Sequence, residues 1–373
     1  MKKITACVLC FLMCFMCSCQ KAEKTSVAPA KEKIDETITL ITLGDNLMHM
    51  PVVNSGRKED GTYEYAHLYE KLQPMIKDAD IAVIGQETVF GGDDRGYSGY
   101  PLFNSPTDLG RSLVKEEFDI ILHASNHVLD KGESGIENTL EFWKDYPEIT
   151  VLGINESREE KEKVDIIEVK GAKIAVLNYT YGANGFMPSQ DKEYLVNFID
   201  EEKIEKDVKY AEENADFTIA FMHWGVEYST SVDESQRDLA EDMCSWGTDL
   251  IVGSHPHVIE PAEWIESENG NKMFVYYSLG NYVSRQLETI NLLGGVACVE
   301  LKYDGERVSI DDAKFMPIIT HYDSTYTKFS VYPLKEYSAD LANEHGLGTV
   351  TVGGYYEKVD KIFEDYDKTV LDY

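Results

Sequence analysis

Positive charge is scarce in this chain relative to negative. Its 373 residues carry 35 lysines and arginines against 67 aspartates and glutamates, a formal charge of −32. Nucleic acid and anionic lipid faces would both be repelled, which argues against a nucleic-acid partner and against adhesion to a membrane by charge. A local cluster of divalent cations could still draw an anionic substrate into one cleft. Cysteine is nearly missing from the body. Of seven, Cys7, Cys10, Cys14, Cys17 and Cys19 fall in the first nineteen residues, leaving Cys244 and Cys298. Two cysteines make no disulfide framework, and their apolar surroundings read as core. Long hydrophobic runs are absent too. The longest, "ACVLCFLMCFMC", is too short to span a bilayer as a permanent helix.

That run follows the basic "MKK" and precedes small Ser18, so residues 1–18 read as a secretory signal. "MCSC" resembles a bacterial lipobox, in which the cysteine after the cut receives a lipid, here Cys19. An ordinary signal peptide cut nearby, or an uncleaved anchor, is the plainer alternative. Residues 19–36, opening "CQKAEKTSVAPAKEK", have the polar composition of a tether. The expectation is a domain lipid-anchored to the cell membrane on its extracytoplasmic face.

From residue 37 onward, short β-rich runs alternate with helical patterns. "ITLITLG", "DIAVIG", "FDIILHAS", "ITVLGI", "KIAVLNYT", "DFTIAFMHWG", "DLIVGSH", "MFVYYSLGN" and "GGVACVEL" read as buried or half-buried strands. "SPTDLGRSLVKEEF" reads as a helix opened by Ser105 and Pro106. "EEKIEKDVKYAEENA" and "QRDLAEDMCSWG" carry amphipathic stripes, Ile204-Val208-Ala211 and Leu239-Met243-Trp246. Such alternation argues for a layered α/β domain over 37–302 with no internal linker. Residues 303–373 read as a C-terminal extension, with one closing helix, packed on that domain.

"GSHPHV" places two histidines at the end of a buried run. Nine histidines in 373 residues give roughly 0.2 such pairs by chance, so the pair alone decides nothing. Other strand ends make it part of a set: "GDNLMH" offers Asp45 and His49, "GQET" offers Glu87, "SNHVLD" offers Asn126, His127 and Asp130, and "HWGVEY" offers His223 and Glu227. Sites in open α/β sheets form outside the carboxyl ends of strands. Each residue has a plain reading: a turn aspartate at 45, a helix cap at Asn126 and His127, a satisfied core histidine at 223, structural carboxylates at 130 and 227. Their occurrence in order on successive strand ends points to a site with ligands for two metal ions. Aspartate, glutamate, asparagine and histidine without thiolate suit Mn²⁺, Fe²⁺ or Zn²⁺. "GGDDRGYSGYPLFNSP" (91–106), with Arg95 its only cation, is the candidate substrate loop, or else a plain surface loop.

The ordered series "GDNLMH", "QET", "SNHVLDKG", "HWGVEY", "GSHPHV" and "YSLGNYV" resembles the bacterial capsule-synthesis CapA family associated with poly-γ-glutamate, which is related to the calcineurin-like metallophosphoesterases. The resemblance runs from about Thr37 to Ser284. It implies a four-layer α-β-β-α sandwich with a dinuclear centre. Asp45 and His257 would hold the first metal, Glu87 would bridge, and Asn126, His223 and His255 would hold the second. His127 would be the general acid or the group that steadies developing charge. Two positions depart from the pattern: Leu47 stands where the superfamily has histidine, and Gly85 where the family has asparagine. The first metal is then held by fewer ligands, or by His49 from another direction.

The function implied is a metal-dependent hydrolase of phosphoesterase type in capsule or poly-γ-glutamate synthesis or processing. Its partners would be a phosphoester substrate or an anionic cell-surface polymer. Two alternatives stand beside it: a non-catalytic metal-binding accessory to a membrane polymer-synthase complex, and a metal-dependent γ-glutamyl amidase.

Overall fold

All nine runs read as strands form strands in the computed structural model, which describes residues 34–373. The expected signal over 1–18, the lipid site at Cys19 and most of the tether lie outside the described residues. Among the described residues no helix is long and apolar enough to cross a membrane.

The strands are β1 (Glu36–Asn46), β2 (Ile81–Gly85), β3 (Ile120–Leu122), β4 (Thr150–Leu152), β5 (Asp165–Val169), β6 (Ala172–Thr180) and β7 (Phe217–His223). They continue with β8 (Leu250–Ser254), β9 (Ala262–Glu266), β10 (Lys272–Tyr276), β11 (Asn281–Val283), β12 (Leu293–Tyr303), β13 (Val308–Tyr322) and β14 (Phe329–Pro333). One sheet runs in the order β14-β13-β12-β1-β2-β3-β4, with β11 beside the end of β1; the other runs β5-β6-β7-β8-β10-β9. β1 to β4 are mutually parallel, as are β6, β7, β8 and β10.

Adjacent residues on these strands point to opposite faces, and both faces are buried, which is why the runs are continuously apolar rather than alternating. Leu40, Val83 and Ile120 of the first sheet meet Val176, Ile219, Val252 and Phe274 of the second. Their neighbours Ile41, Ile84 and Ile121 turn outward onto Tyr69, Leu113 and Trp143 of one helix layer. On the far side Ala175, Ala220 and Ile251 pack against Ile204, Val208, Leu239 and Met243 from helices Glu201–Asn214 and Glu234–Trp246. The result is the four-layer α-β-β-α sandwich. Residues 303–373, set apart in the sequence as an extension, give β13 and β14 to the larger sheet. Helix Val352–Ile362 brings Tyr355 and Val359 into the core between the sheets.

Two local expectations resolve differently. Ser105 does not cap helix Thr107–Lys115, whose N-cap is Pro106 without a side-chain bond; its hydroxyl pairs with that of Thr88 instead, at 2.7 Å. Asn126 and His127 do not cap a helix, because the next one starts after Gly132.

Both sheets lock their parallel strands with the same device. The aspartate just before β2, β3, β7 or β8 accepts a backbone N–H from the neighbouring strand: Asp80 from Thr39, Asp119 from Ala82, Asp216 from Lys173 and Asp249 from Thr218, each at 2.8 Å. These clamps fix register at the end of the sheets opposite the strand termini described below. Burial pushes the Asp249 carboxyl up to about 8, against ~3.9 in an unfolded chain. Between those values the folded state holds a proton that the unfolded state has lost, so this group's contribution to stability is full at acid pH and is lost as pH rises through about 8. Asp249→Asn keeps an acceptor oxygen for Thr218 and removes the ionisation. It is expected to lie nearest the parent in urea unfolding at about pH 4 and to exceed it increasingly as pH rises, by on the order of 2 kcal/mol or more at about pH 9. A difference that does not grow with pH would show that Asp249 ionisation is not the cause.

Candidate metal centre

The carboxyl ends of β1, β2, β3, β7 and β8 meet at one edge of the sandwich, and each delivers polar side chains there. Backbones come close to make this possible: a Cβ at Gly44 would lie 2.1 Å from the Gly280 carbonyl oxygen, so the residue before Asp45 has to be glycine. Asp45, Glu87 and His257 each bring one ligand-type atom within 4.8 Å of the others. The two oxygens of Glu87 are buried and have no hydrogen-bond partner. One of them, Oε1, lies 3.8 Å from His257 Nε2 and 3.9 Å from His127 Nε2. Asp45 Oδ1 lies 3.8 Å from His223 Nδ1, while Oδ2 accepts the His255 backbone N–H at 3.0 Å. The ion pairs of these carboxylates are to imidazoles, not to lysine or arginine.

His255 and His257 both have left-handed backbones, φ 101° and 59°, a state that costs a non-glycine residue on the order of 1–3 kcal/mol. Asp45 holds the first through its amide, and Asn281 and Asn291 hold the second, each donating to the His257 carbonyl at 3.2 Å. Asn281 Oδ1 also faces His257 Nδ1 at 3.0 Å. Because that oxygen only accepts, the ring proton sits on Nδ1 and the Nε2 lone pair faces Glu87. His223 Nε2 meets Asn126 Oδ1 at 3.1 Å and its Nδ1 meets Ser254 Oγ at 3.1 Å. His255 lies tilted beside His223 with ring centroids 4.8 Å apart, and its buried Nδ1 has no partner.

Burial sets the charge states. It pushes Asp45 up to about 7. It holds Glu87 well above the ordinary carboxyl range, with the charges of Asp45, Glu227 and Asp130 adding to the effect. The same burial lowers His255 to about 4 and His257 to about 3, and keeps His223 well below its usual value. Neutral imidazoles with free lone pairs and crowded carboxyls without basic partners make a donor set that a divalent cation would satisfy.

The remaining expected residues lie around this centre. His127 Nδ1 is 2.8 Å from Asp130 Oδ2, which also accepts the Phe103 backbone N–H at 2.7 Å. Glu227 is exposed at the rim. His49 is not in the group of converging ligand atoms; its Nδ1 accepts the Arg285 backbone N–H at 3.3 Å, which leaves its ring proton on Nε2. A Cβ at Gly85 would stand 3.3 Å from Asp45 Oδ1, so the glycine leaves that oxygen open. From the candidate substrate loop, Phe103 packs edge-on against His127, centroids 4.7 Å apart. Sequence reasoning gave no role to Ser254, Asn184 or Asn281, although Asn281 stands in the "SLGNYV" run that follows the histidine pair.

Two α/β halves packed sheet to sheet, with carboxylates, an amide and imidazoles at one shared strand-end edge, define a layered α/β protein whose centre has the donors of a metal site. Residues 39–286 match the sequence model of the family described as bacterial capsule synthesis protein PGA_cap. The chain belongs to that family. It is 34% identical over 271 residues to the PGA biosynthesis protein CapA of Bacillus subtilis (strain 168), covering 71% of this chain and 68% of that protein. It is 26% identical over 270 residues to the capsule biosynthesis protein CapA of Bacillus anthracis, covering 70% of this chain but 63%, under two thirds, of that relative. Similar solved structures include a 5′-nucleotidase precursor from Thermus thermophilus, with 14% identity, TM-score 0.48, and coverage of 88% of this chain and 59% of that one. Another is the calcineurin-like phosphoesterase YfkN from Bacillus subtilis, with 13% identity, TM-score 0.43, and coverage of 88% and 99%.

Proposed function

We propose that this capsule-synthesis family member is a metal-dependent phosphoester hydrolase that acts in making or processing a cell-surface polymer of the poly-γ-glutamate kind. The observation that carries the reading is Glu87, whose two buried oxygens have no hydrogen-bond partner and whose Oε1 faces His127 and His257 beside Asp45. Leaving a carboxylate so placed is costly unless a cation takes it. Asp45, Glu87 and His257 would hold one divalent ion, and Asn126, His223 and His255, with Glu87 shared, a second. Ions bound there would supply Lewis acidity and make water reactive at neutral pH.

The chain's own groups have separate tasks. Asn281 keeps the His257 Nε2 lone pair free by accepting a hydrogen bond from Nδ1–H, which holds the ring proton there. Ser254 Oγ can accept from His223 Nδ1, so that Nε2 is released from Asn126 to serve as a ligand. Hydrolysis adds water across the P–O bond, and the departing oxygen must gain a proton. His127 can deliver it from Nε2 while Asp130 holds Nδ1. In this reading the protein is anchored at the outer face of the cell membrane by lipid on Cys19, a placement supported by the "MCSC" run.

The test is metal content of the purified protein by elemental mass spectrometry together with hydrolysis of a chromogenic phosphodiester. About two ions per chain with turnover abolished by chelation is the expected result. Bound metal without turnover would move the assignment to the amidase or accessory alternative, and absence of metal would end all three.

A further inference from the structure

Exposed apolar side chains are concentrated at the mouth of this centre. Seven of the twelve large exposed hydrophobic residues among the described residues lie at 100–102, 181–187 and 226–228, so the patch belongs to the site rather than to the surface at large. Contiguous exposed apolar area on a soluble protein marks a place where something binds. Tyr181 and Tyr228 stand next to the histidine pair: their rings lie 4.4 Å from His255 and 6.0 Å from His257, centroid to centroid. Tyr100 leans on Phe103, which packs on His127. Phe186 and Met187 follow Asn184, whose Oδ1 accepts from the Asn126 side-chain amide at 3.3 Å and whose own amide nitrogen lies 3.4 Å from His127 Nδ1.

The tyrosines are fixed through the backbone that carries the candidate ligands. Tyr228 holds a left-handed φ of 66°, with its N–H donated to the Pro256 carbonyl between the two histidines at 2.8 Å. Tyr181 donates its N–H to the His223 carbonyl at 3.0 Å. Their rings are therefore placed to touch whatever binds at the centre, with little further ordering to be done. These three segments contain no lysine or arginine, and the charge they add is the Glu227 carboxylate. Lys131 Nζ reaches the collar from a neighbouring segment, but it is held by the Leu102 carbonyl at 3.0 Å, so a polyanion would find little counter-charge there, in a chain already at −32.

We propose that the ester taken at this centre carries an uncharged ring that lies against Tyr181 and Tyr228, and that the anionic polymer is not the group bound there. The inference rests on the phosphoesterase reading above and names its substrate class: a phosphoester of a flat or sugar-like ring, recognised by ring faces rather than by cations.

The experiment is calorimetric titration of Mn²⁺-loaded protein with phenylphosphonate and with methylphosphonate, neither of which has an ester bond to cut. Phenylphosphonate is expected to bind roughly tenfold tighter. Tyr181→Ala and Tyr228→Ala should each shrink that preference while leaving methylphosphonate affinity, metal content and melting temperature as they were; Tyr181→Phe and Tyr228→Phe should keep it. Equal affinities in the parent, or a preference that survives both alanine variants, overturns the ring subsite and leaves the phosphoesterase reading intact. Failure of both phosphonates to bind the metal-loaded protein overturns that reading and the subsite with it. Displacement of phenylphosphonate by an oligo-γ-glutamate would overturn the exclusion of the anionic polymer, and with it the proposed substrate class. A ring-bearing phosphomonoester series, nucleoside against sugar, then separates the two sources of such a ring.

Discussion

Hydrolysis of an alkyl phosphoester is expected to fall ~10²–10⁴-fold in His127→Ala, while that of a p-nitrophenyl ester falls less than about tenfold. The difference comes from the leaving group. An alkoxide needs a proton as the P–O bond breaks; p-nitrophenolate does not. His127 is placed for that donation because Asp130 Oδ2, fixed by the Phe103 amide, holds Nδ1 and leaves Nε2 facing the centre. Phe103 packs edge-on against the ring, and both side chains are buried. His127 is outside the group formed by Asp45, Glu87 and His257, so metal content should be unchanged. Asp130→Asn should show the same leaving-group dependence at smaller amplitude, since an amide can still orient the ring but stabilises its charged form less well. Rate constants for a series of leaving groups decide the matter: equal losses across the series would show that His127 positions substrate and does not deliver the proton.

The parts of this protein that could be read from sequence are those where one segment states its own environment. "DIAVIG" and "DLIVGSH" are apolar throughout because both faces of β2 and β8 are covered, and the aspartate that opens each is the register clamp. The donors at the strand ends were legible because the interior offers few reasons to place histidine, asparagine and glutamate after buried runs. β13 was not legible: "VSIDDAKFMPIITHY" carries Asp311, Asp312, Lys314 and Pro317, and only its pairing with β12 and β14 covers its second half. Helix Glu133–Trp143 gave no start signal, since its N-cap is Gly132 without a side-chain bond. Within the site, residue types were readable but pairings were not. Nothing local in "GDN" shows that Asp45 will take the His255 amide 210 residues away, or that His49 will spend Nδ1 on Arg285 and so become a hydrogen-bond donor. The aromatic mouth was half visible as the Gly- and Tyr-rich loop 91–106, but its other two segments lie after β6 and β7 and join it only in space.

Glu87→Gln should abolish metal-dependent stabilisation and, in metal-free protein, raise stability. Both consequences follow from the same two oxygens. In the folded chain they are buried without a hydrogen bond, beside Asp45 and within reach of Asp130's field, so the carboxyl must either stay protonated or hold an uncompensated charge. A glutamine of the same shape bears no charge and takes up no proton, so the penalty that burial and the neighbouring carboxylates place on the Glu87 charge is removed, which is worth on the order of 1–3 kcal/mol. The metal-bound protein behaves the opposite way, because an ion that binds the folded state alone adds ~2.7 kcal/mol at a concentration one hundred times its dissociation constant. Urea unfolding of parent and variant, each in chelator and in Mn²⁺, gives four midpoints. The expected order is parent in chelator lowest, variant unchanged between the two conditions and above it, and parent in Mn²⁺ highest. A variant that still gains from Mn²⁺ as much as the parent does would remove Glu87 from the centre. A variant less stable than the parent in chelator would mean that the Glu87 oxygens are satisfied in the metal-free protein, and that the cluster is structural rather than built for a cation.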